Sequence, residues 1–136
     1  MHGELRVMAE LEHDHIVTFK EVFDADDGFY VVLELCANRP CQLTARINGG
    51  ELFDRIIELR RFTERDAAQT MRQAFLAVQH MHEKALVHRD IKPENLLLSS
   101  KEPAATIKLA DFGFAVKCGG LSGLTDLLGT PEYMGM

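Results

Sequence analysis

The sequence has no tryptophan, two tyrosines and three cysteines, and it carries no basic surplus. With a net charge of -6 and no run of Lys or Arg to neutralise phosphates, a nucleic-acid partner has little electrostatic support. No apolar run is longer than Phe29 to Leu33, far short of a bilayer span, and residues 1–15 mix Glu, Arg, Asp and His rather than forming a signal segment. The expectation is therefore no membrane association and a cytoplasmic, or nuclear, location. Cys36, Cys41 and Cys118 lack CxxC spacing and leave one thiol over from any pairing, which points to a reducing compartment. His13 with His15 and His80 with His82 are close pairs, but with no Cys or Glu at zinc spacing they read as surface or packing histidines. What is present, 46% hydrophobic and 26% charged residues, suits a globular domain with a core.

Periodicity places the elements. Leu5, Met8 and Leu11 recur at helical spacing from about Gly3 to Glu12. Ile16 to Phe23 and Phe29 to Leu35 are β-branched and aromatic and flank an Asp/Gly turn at residues 24–28, the pattern of an antiparallel hairpin. The second strand is apolar on both faces and is expected to be buried. Asn38 to Asn48 fits neither period and contains Pro40, hence a loop, and Glu51 to Arg60 reads as a short amphipathic helix. Thr63 is an N-cap with Asp66 three residues on. Ala67, Met71, Ala74, Phe75, Val78 and Met81 then form the apolar stripe of a long helix to about Lys84. Asn95 to Leu98 and Thr106 to Leu109 read as short strands, and Gly119 to Gly123 as a mobile Gly/Ser segment.

The chemistry lies in His88-Arg89-Asp90-Ile91-Lys92-Pro93-Glu94-Asn95, followed sixteen residues after Asn95 by Asp111-Phe112-Gly113 and later by Gly129-Thr130-Pro131-Glu132-Tyr133. This ordered set resembles the catalytic and activation segments of protein kinases. Phosphoryl transfer needs an oriented hydroxyl, a metal-bound triphosphate and positive charge on the transferring oxygens. The resemblance implies that Asp90 takes or orients the substrate hydroxyl proton, that Lys92 stabilises the phosphoryl group and that Thr130 packs beside both. Asn95 and Asp111 would be the Mg²⁺ ligands, with ATP as the phosphoryl donor.

The resemblance extends from Glu4 to Tyr133. Glu4 falls where kinases carry the helix Glu that pairs with the ATP-orienting Lys. Leu33 falls at the gatekeeper place, Glu34 to Cys36 along the adenine hinge, and Leu52 and Leu97 beneath the adenine ring. Met8, Phe19, His88 and Phe112 fall at the regulatory spine. Gly49-Gly50-Glu51-Leu52-Phe53-Asp54-Arg55-Ile56 and Thr63-Glu64-Arg65-Asp66-Ala67 are similar to the calcium/calmodulin-dependent group, and Lys92 after Asp90 indicates Ser/Thr specificity. Glu51 and Glu94 match carboxylates that receive substrate Arg, implying protein substrates with basic residues upstream of the Ser or Thr. Arg89 would pair with an activation-loop phosphate or its substitute, with Thr125 and Asp126 as the candidates.

The expected fold is α+β and protein-kinase-like, truncated at both ends, with residues 1–37 running from the Glu4 helix to the hinge and 49–136 forming part of the large lobe. Between them Asn38 to Asn48 is an eleven-residue insertion into the family pattern. No G-x-G-x-x-G loop or upstream strand Lys precedes Glu4, and Gly135-Met136 stands where Ala-Pro-Glu is expected. Negligible activity of the chain alone follows from that reading, with a silent kinase-like binding module or an incomplete gene product as the alternatives and Ca²⁺/calmodulin control as a property of a complete protein.

Overall fold

The computed structural model describes residues 2–25, 28–34, 52–59, 62–100, 102, 105–118 and 128–133, with only the backbone of residues 2–4 and 59. The Asn38–Asn48 loop, the Gly119–Gly123 segment and the candidate residues Cys36, Glu51, Thr125 and Asp126 lie outside the described residues, as does the Glu4 side chain.

The chain opens with α1 (His2–Glu10), which turns Val7 and Met8 inward, with Leu11 buried just beyond its end. Strands β1 (Phe19–Ala25) and β2 (Gly28–Leu33) pair antiparallel, with Phe19 opposite Leu33 and Ala25 opposite Gly28. Gly28 has φ 147°, a backbone state that side chains disfavour, at the turn end of the hairpin. The first strand starts later than its β-branched run because Ile16 and Val17 are diverted. Ile16 forms a parallel bridge with Leu109, the Val17 N–H donates to Leu109 O (2.9 Å), and Leu109 N–H returns a bond to His15 O (2.9 Å).

The burial expected of β2 is overturned: all its residues are exposed, Val31 at 42%. Apolarity on both faces signals a covered strand only if a layer lies on each side. Among the described residues, β1 alone pairs with β2.

After α2 (Leu52–Leu59), α3 (Glu64–Glu83) is the mainstay of the core. A reciprocal capping box starts it: the Asp66 N–H donates to Thr63 Oγ1 (3.1 Å) and the Thr63 N–H to Asp66 Oδ2 (3.2 Å). Its buried residues are Thr70, Ala74, Ala77 and Met81. The stripe read from sequence was therefore rotated: Ala74 and Met81 face inward, whereas Met71 and Phe75 are exposed, Phe75 at 62%. Small residues at 74 and 77 let β3 (Leu86–Val87) and β5 (Ile107–Leu109) approach the helix backbone, and the bulkier side chains one position round are displaced to the flank.

A short 3₁₀ turn, Pro93–Asn95, leads into β4 (Leu96–Leu98), which pairs antiparallel with β5, so the strand expected from Asn95 begins one residue later. β3 pairs with β6 (Val116–Lys117). Neither two-residue strand is legible from periodicity. A second 3₁₀ turn, Pro131–Tyr133, closes the described chain. The most deeply buried large side chains, Phe112, Ile16, Met81, Leu86 and Leu109, come from five different segments that meet under the loop after β3.

Candidate functional site

Three chain segments converge beside that core: residues 88–95 after β3, residues 110–113 after β5, and residues 128–133. The first two are tied by Ala110 N–H to Asn95 O (2.9 Å) and by the His88 ring. His88 Nε2 lies 3.0 Å from Ala110 O, so it donates, while Nδ1 accepts the Asp90 N–H at 3.3 Å. One neutral tautomer satisfies both bonds. Burial lowers the His88 pKa, against the Ala110 carbonyl and the Asp111 and Asp90 carboxylates, which favour a charged ring. Phe112 packs edge-on against it at 5.3 Å.

Asp90 is buried, and its carboxylate is surrounded by donors. Thr130 Oγ1 donates to Oδ1 (2.7 Å), Lys92 Nζ lies 2.9 Å from Oδ2, and Asn95 Nδ2 donates to Oδ2 (3.2 Å) and to the Asp90 main-chain oxygen (2.8 Å). Lys92 Nζ also donates to Thr130 Oγ1 (2.7 Å), closing a triangle of acid, base and hydroxyl. Burial would raise the Asp90 pKa, but the Thr130 and Lys92 hydrogen bonds, the Lys92 charge and Asn95 outweigh it and hold the carboxyl below its ordinary range. The Lys92 pKa is raised, chiefly by its hydrogen bond with Asp90.

The backbone here adopts conformations that side chains seldom take. Arg89 (φ 71°) and Asp111 (φ 61°) are left-handed without being glycine. Arg89 is held by donation from Nε to Phe114 O (2.7 Å), and Asp111 by the Gly113 N–H on Oδ1 (3.3 Å). Each such residue costs on the order of 1 kcal/mol, and these bonds offset it while aiming both side chains.

The donor set suits one hard cation brought in with phosphates. Asn95 commits its amide nitrogen to Asp90, which leaves Oδ1 as the atom that could face a cation, and the exposed Asp111 carboxylate could supply a second oxygen. Among the described residues no group of three or more His, Cys, Asp or Glu could cage a metal. Mg²⁺ commonly needs only one or two protein oxygens beside substrate phosphates.

The sequence matches the protein kinase domain family over residues 1–135. The chain belongs to the protein kinase family. It is similar to a calcium/calmodulin-dependent protein kinase, cmkA, of Emericella nidulans, 44% identical over 115 residues that cover 85% of this chain and 25% of that protein. The human calcium/calmodulin-dependent protein kinase type IV is 40% identical over 96% of this chain and 25% of its own length. Calcium-dependent protein kinase 5 of Plasmodium falciparum is 37% identical over 96% of this chain and 21% of its own length. The chain thus spans a third or less of the curated relatives it matches.

In this kinase domain the remaining candidate residues fall as follows. Met8 and Phe112 are buried in the main core, with Phe19 packed against it. Leu52 is in that core too, whereas Leu97 belongs to a satellite cluster with Val17 and Ala110. Leu33, at the gatekeeper place, is 38% exposed. Glu94 receives the Tyr133 hydroxyl on Oε1 at 3.5 Å, while its buried Oε2 has no hydrogen-bond partner among the described residues. The described residues contain no helix long and apolar enough to cross a membrane.

Sequence reading missed the role of Lys108. Its ammonium is 2.8 Å from Glu34 Oε1, which also accepts the Thr18 N–H (2.7 Å), so the residue after β2 is pinned to the strand leading to Asp111. The Glu34 N–H is itself committed to Thr18 O (2.9 Å). The available signal was alternation: Ile107 and Leu109 point inward, so Lys108 must face the other way. An exposed pair, Lys117 with Glu10 (3.2 Å), similarly links β6 to α1.

Proposed function

We propose that this chain carries the phosphotransfer segment of a calmodulin-dependent-type Ser/Thr protein kinase, transferring the γ-phosphoryl group of ATP to a protein hydroxyl. The observation that carries the reading is the Asp90–Lys92–Thr130 triangle, with Asn95 bonded to its acid. Asp90, ionised and fixed by three donors, orients the incoming hydroxyl and receives its proton. Lys92 presents a charge that cannot wander from the acid, beside the transferring oxygens. Thr130 spaces the two. Asn95 and Asp111 would hold Mg²⁺, which neutralises phosphate charge when bound.

Substrate choice is read from Glu94. Glu94 Oε2 has acceptor capacity to spare but is covered, and a substrate Arg upstream of the acceptor that displaced its cover would supply a charge-assisted bond. Glu51 is the second candidate for that role. By the family resemblance Arg89 would be the activation contact, with Thr125 or Asp126 as its candidate partner, and Glu4, Glu34 and Cys36 would belong to the nucleotide side. Control by Ca²⁺/calmodulin in the whole protein rests on the named relatives.

The test is a graft. Residues 86–133 replace the corresponding segment of the human type IV relative, and transfer of labelled phosphate to an Arg-containing peptide is measured. The expected result is activity abolished by Asp90→Asn and weakened for peptides lacking upstream Arg by Glu94→Gln. A folded graft with no Asp90-dependent transfer would overturn the proposal.

A further inference from the structure

Three imidazoles meet outside the site just described. His13 and His15 lie in the segment between α1 and β1, and His80 lies on α3. The His13 ring stacks on His80, centroids 5.0 Å apart and planes inclined by 26°, and tilts against His15 at 5.5 Å. Their hydrogen bonds differ in what they tolerate. His15 Nδ1 lies 3.0 Å from Ile107 O and so carries its proton there. His13 Nδ1 instead accepts the His15 N–H at 3.1 Å, which requires a lone pair, so a proton on that nitrogen would set donor against donor. Buried His80 Nε2 has no hydrogen-bond partner among the described residues.

We propose that His13, stacked on His80, is a proton-sensitive latch: while neutral it holds the segment 13–17 against α3 and β5, and its protonation releases it. The segment is worth latching because it braces the strand that ends at Asp111, through Val17 N–H to Leu109 O and Leu109 N–H to His15 O. The charged groups facing His13 act in both directions. Asp14, in the same segment, favours its proton; His80 from α3, His15, and Lys108 from β5 oppose it. Burial is the largest influence, and the balance lowers the His13 pKa. The sign follows: the unfolded or released segment takes up a proton at histidine's ordinary value, near 6.5, before the latched form does. The latch is therefore tight above that value and loosens as pH falls through it toward the depressed one. None of this depends on phosphotransfer.

The experiment is an NMR titration of the His13 Cε1–H signal of the purified chain from about pH 8 to about pH 5, with amide exchange and thermal midpoints measured alongside. His13 should titrate below 6.5. After correction for intrinsic rates, the Val17 and Leu109 amides should lose about tenfold in protection at the acid end, while the Ser99 amide, bonded to Thr106 O, loses less. His13→Asn, which keeps an acceptor for the His15 N–H, should flatten the acid fall in thermal midpoint, and His82→Gln, on the exposed face of α3, should not. The proposal is overturned if His13 titrates at or above 6.5, if Val17, Leu109 and Ser99 lose protection equally, or if His13→Asn leaves the fall intact. Should His13→Asn not fold, the titration of the unaltered chain decides.

Discussion

Thr130→Val is the sharpest probe of the site because it changes one atom's chemistry at nearly constant volume. The hydroxyl donates to Asp90 Oδ1 and accepts from Lys92 Nζ, both at 2.7 Å. Losing it strips a buried carboxylate oxygen of a donor, worth about 1.5–3 kcal/mol for a bond to a charged group. Lys92 suffers less, since it keeps Asp90 Oδ2 at 2.9 Å and its side chain retains 19% exposure to water. The net cost is set at about 2–3 kcal/mol, a drop of roughly 6–12 °C in Tm for a chain of this size. Thr130→Ser keeps the hydroxyl and should cost under about 1 kcal/mol. Urea denaturation at unchanged m would measure the difference. The pH dependence adds a second check. Asp90, depressed in the fold, contributes stability that is complete above its unfolded value and lost as pH falls through its folded value. The Val variant raises the folded value, so the gap between the two proteins should narrow as pH drops below about 4. Equal stability of the Val and Ser variants, or a gap that widens in acid, would refute the triangle as drawn.

Other perturbations test the frame around the site. Lys108→Met should destabilise by about 1–3 kcal/mol, because a half-buried Glu34 loses its cation. The Glu34 carboxyl is held low by Lys108 and Thr18 against its burial, so that variant should show a shallower acid limb of the stability–pH profile, its gap to the parent narrowing as pH falls through Glu34's folded value. Thr63→Ala removes the cap of α3 and should cost about 1 kcal/mol by chemical denaturation. Met81→Ala should cost about 2–5 kcal/mol, whereas Phe75→Ser should stay within about 0.5 kcal/mol in the same assay; a large loss from Phe75 would restore the stripe read from periodicity.

The geometry of the loop 88–95 was legible because its contacts are local in sequence. Asp90, Lys92 and Asn95 occupy six consecutive positions, and a 3₁₀ turn suffices to fold them onto one another. Thr130 came only through family resemblance, since nothing between Asn95 and Gly129 encodes the contact. The long helix was also legible, but not its orientation, because periodicity gives the width of a stripe and not which neighbours press on it. Residues 70, 74, 77 and 81 were chosen by the close approach of β3 and β5, and a pair of alanines marks such an approach more faithfully than the largest hydrophobes do. The error over β2 has the same root: burial is a property of layers, and the strand's composition says nothing of what covers it.

β5 shows why so few residues can serve both fold and chemistry. Its three residues face alternately, Ile107 and Leu109 into the core and Lys108 toward Glu34, so one short strand is fixed from two sides. Its main chain is bonded as well: Ile107 N–H to Gln73 on α3 (2.7 Å), and Leu109 to the segment after α1 by two bonds. Asp111 follows two residues later in a left-handed conformation that unsupported backbone would abandon. Asp111 is thus positioned by what precedes it, with α3, the residue after β2 and the segment after α1 each holding β5 through a different group. Loosening any one should move Asp111 relative to Asp90 and Asn95 without touching either, which makes Lys108 and Gln73 positioning residues for a site they do not enter.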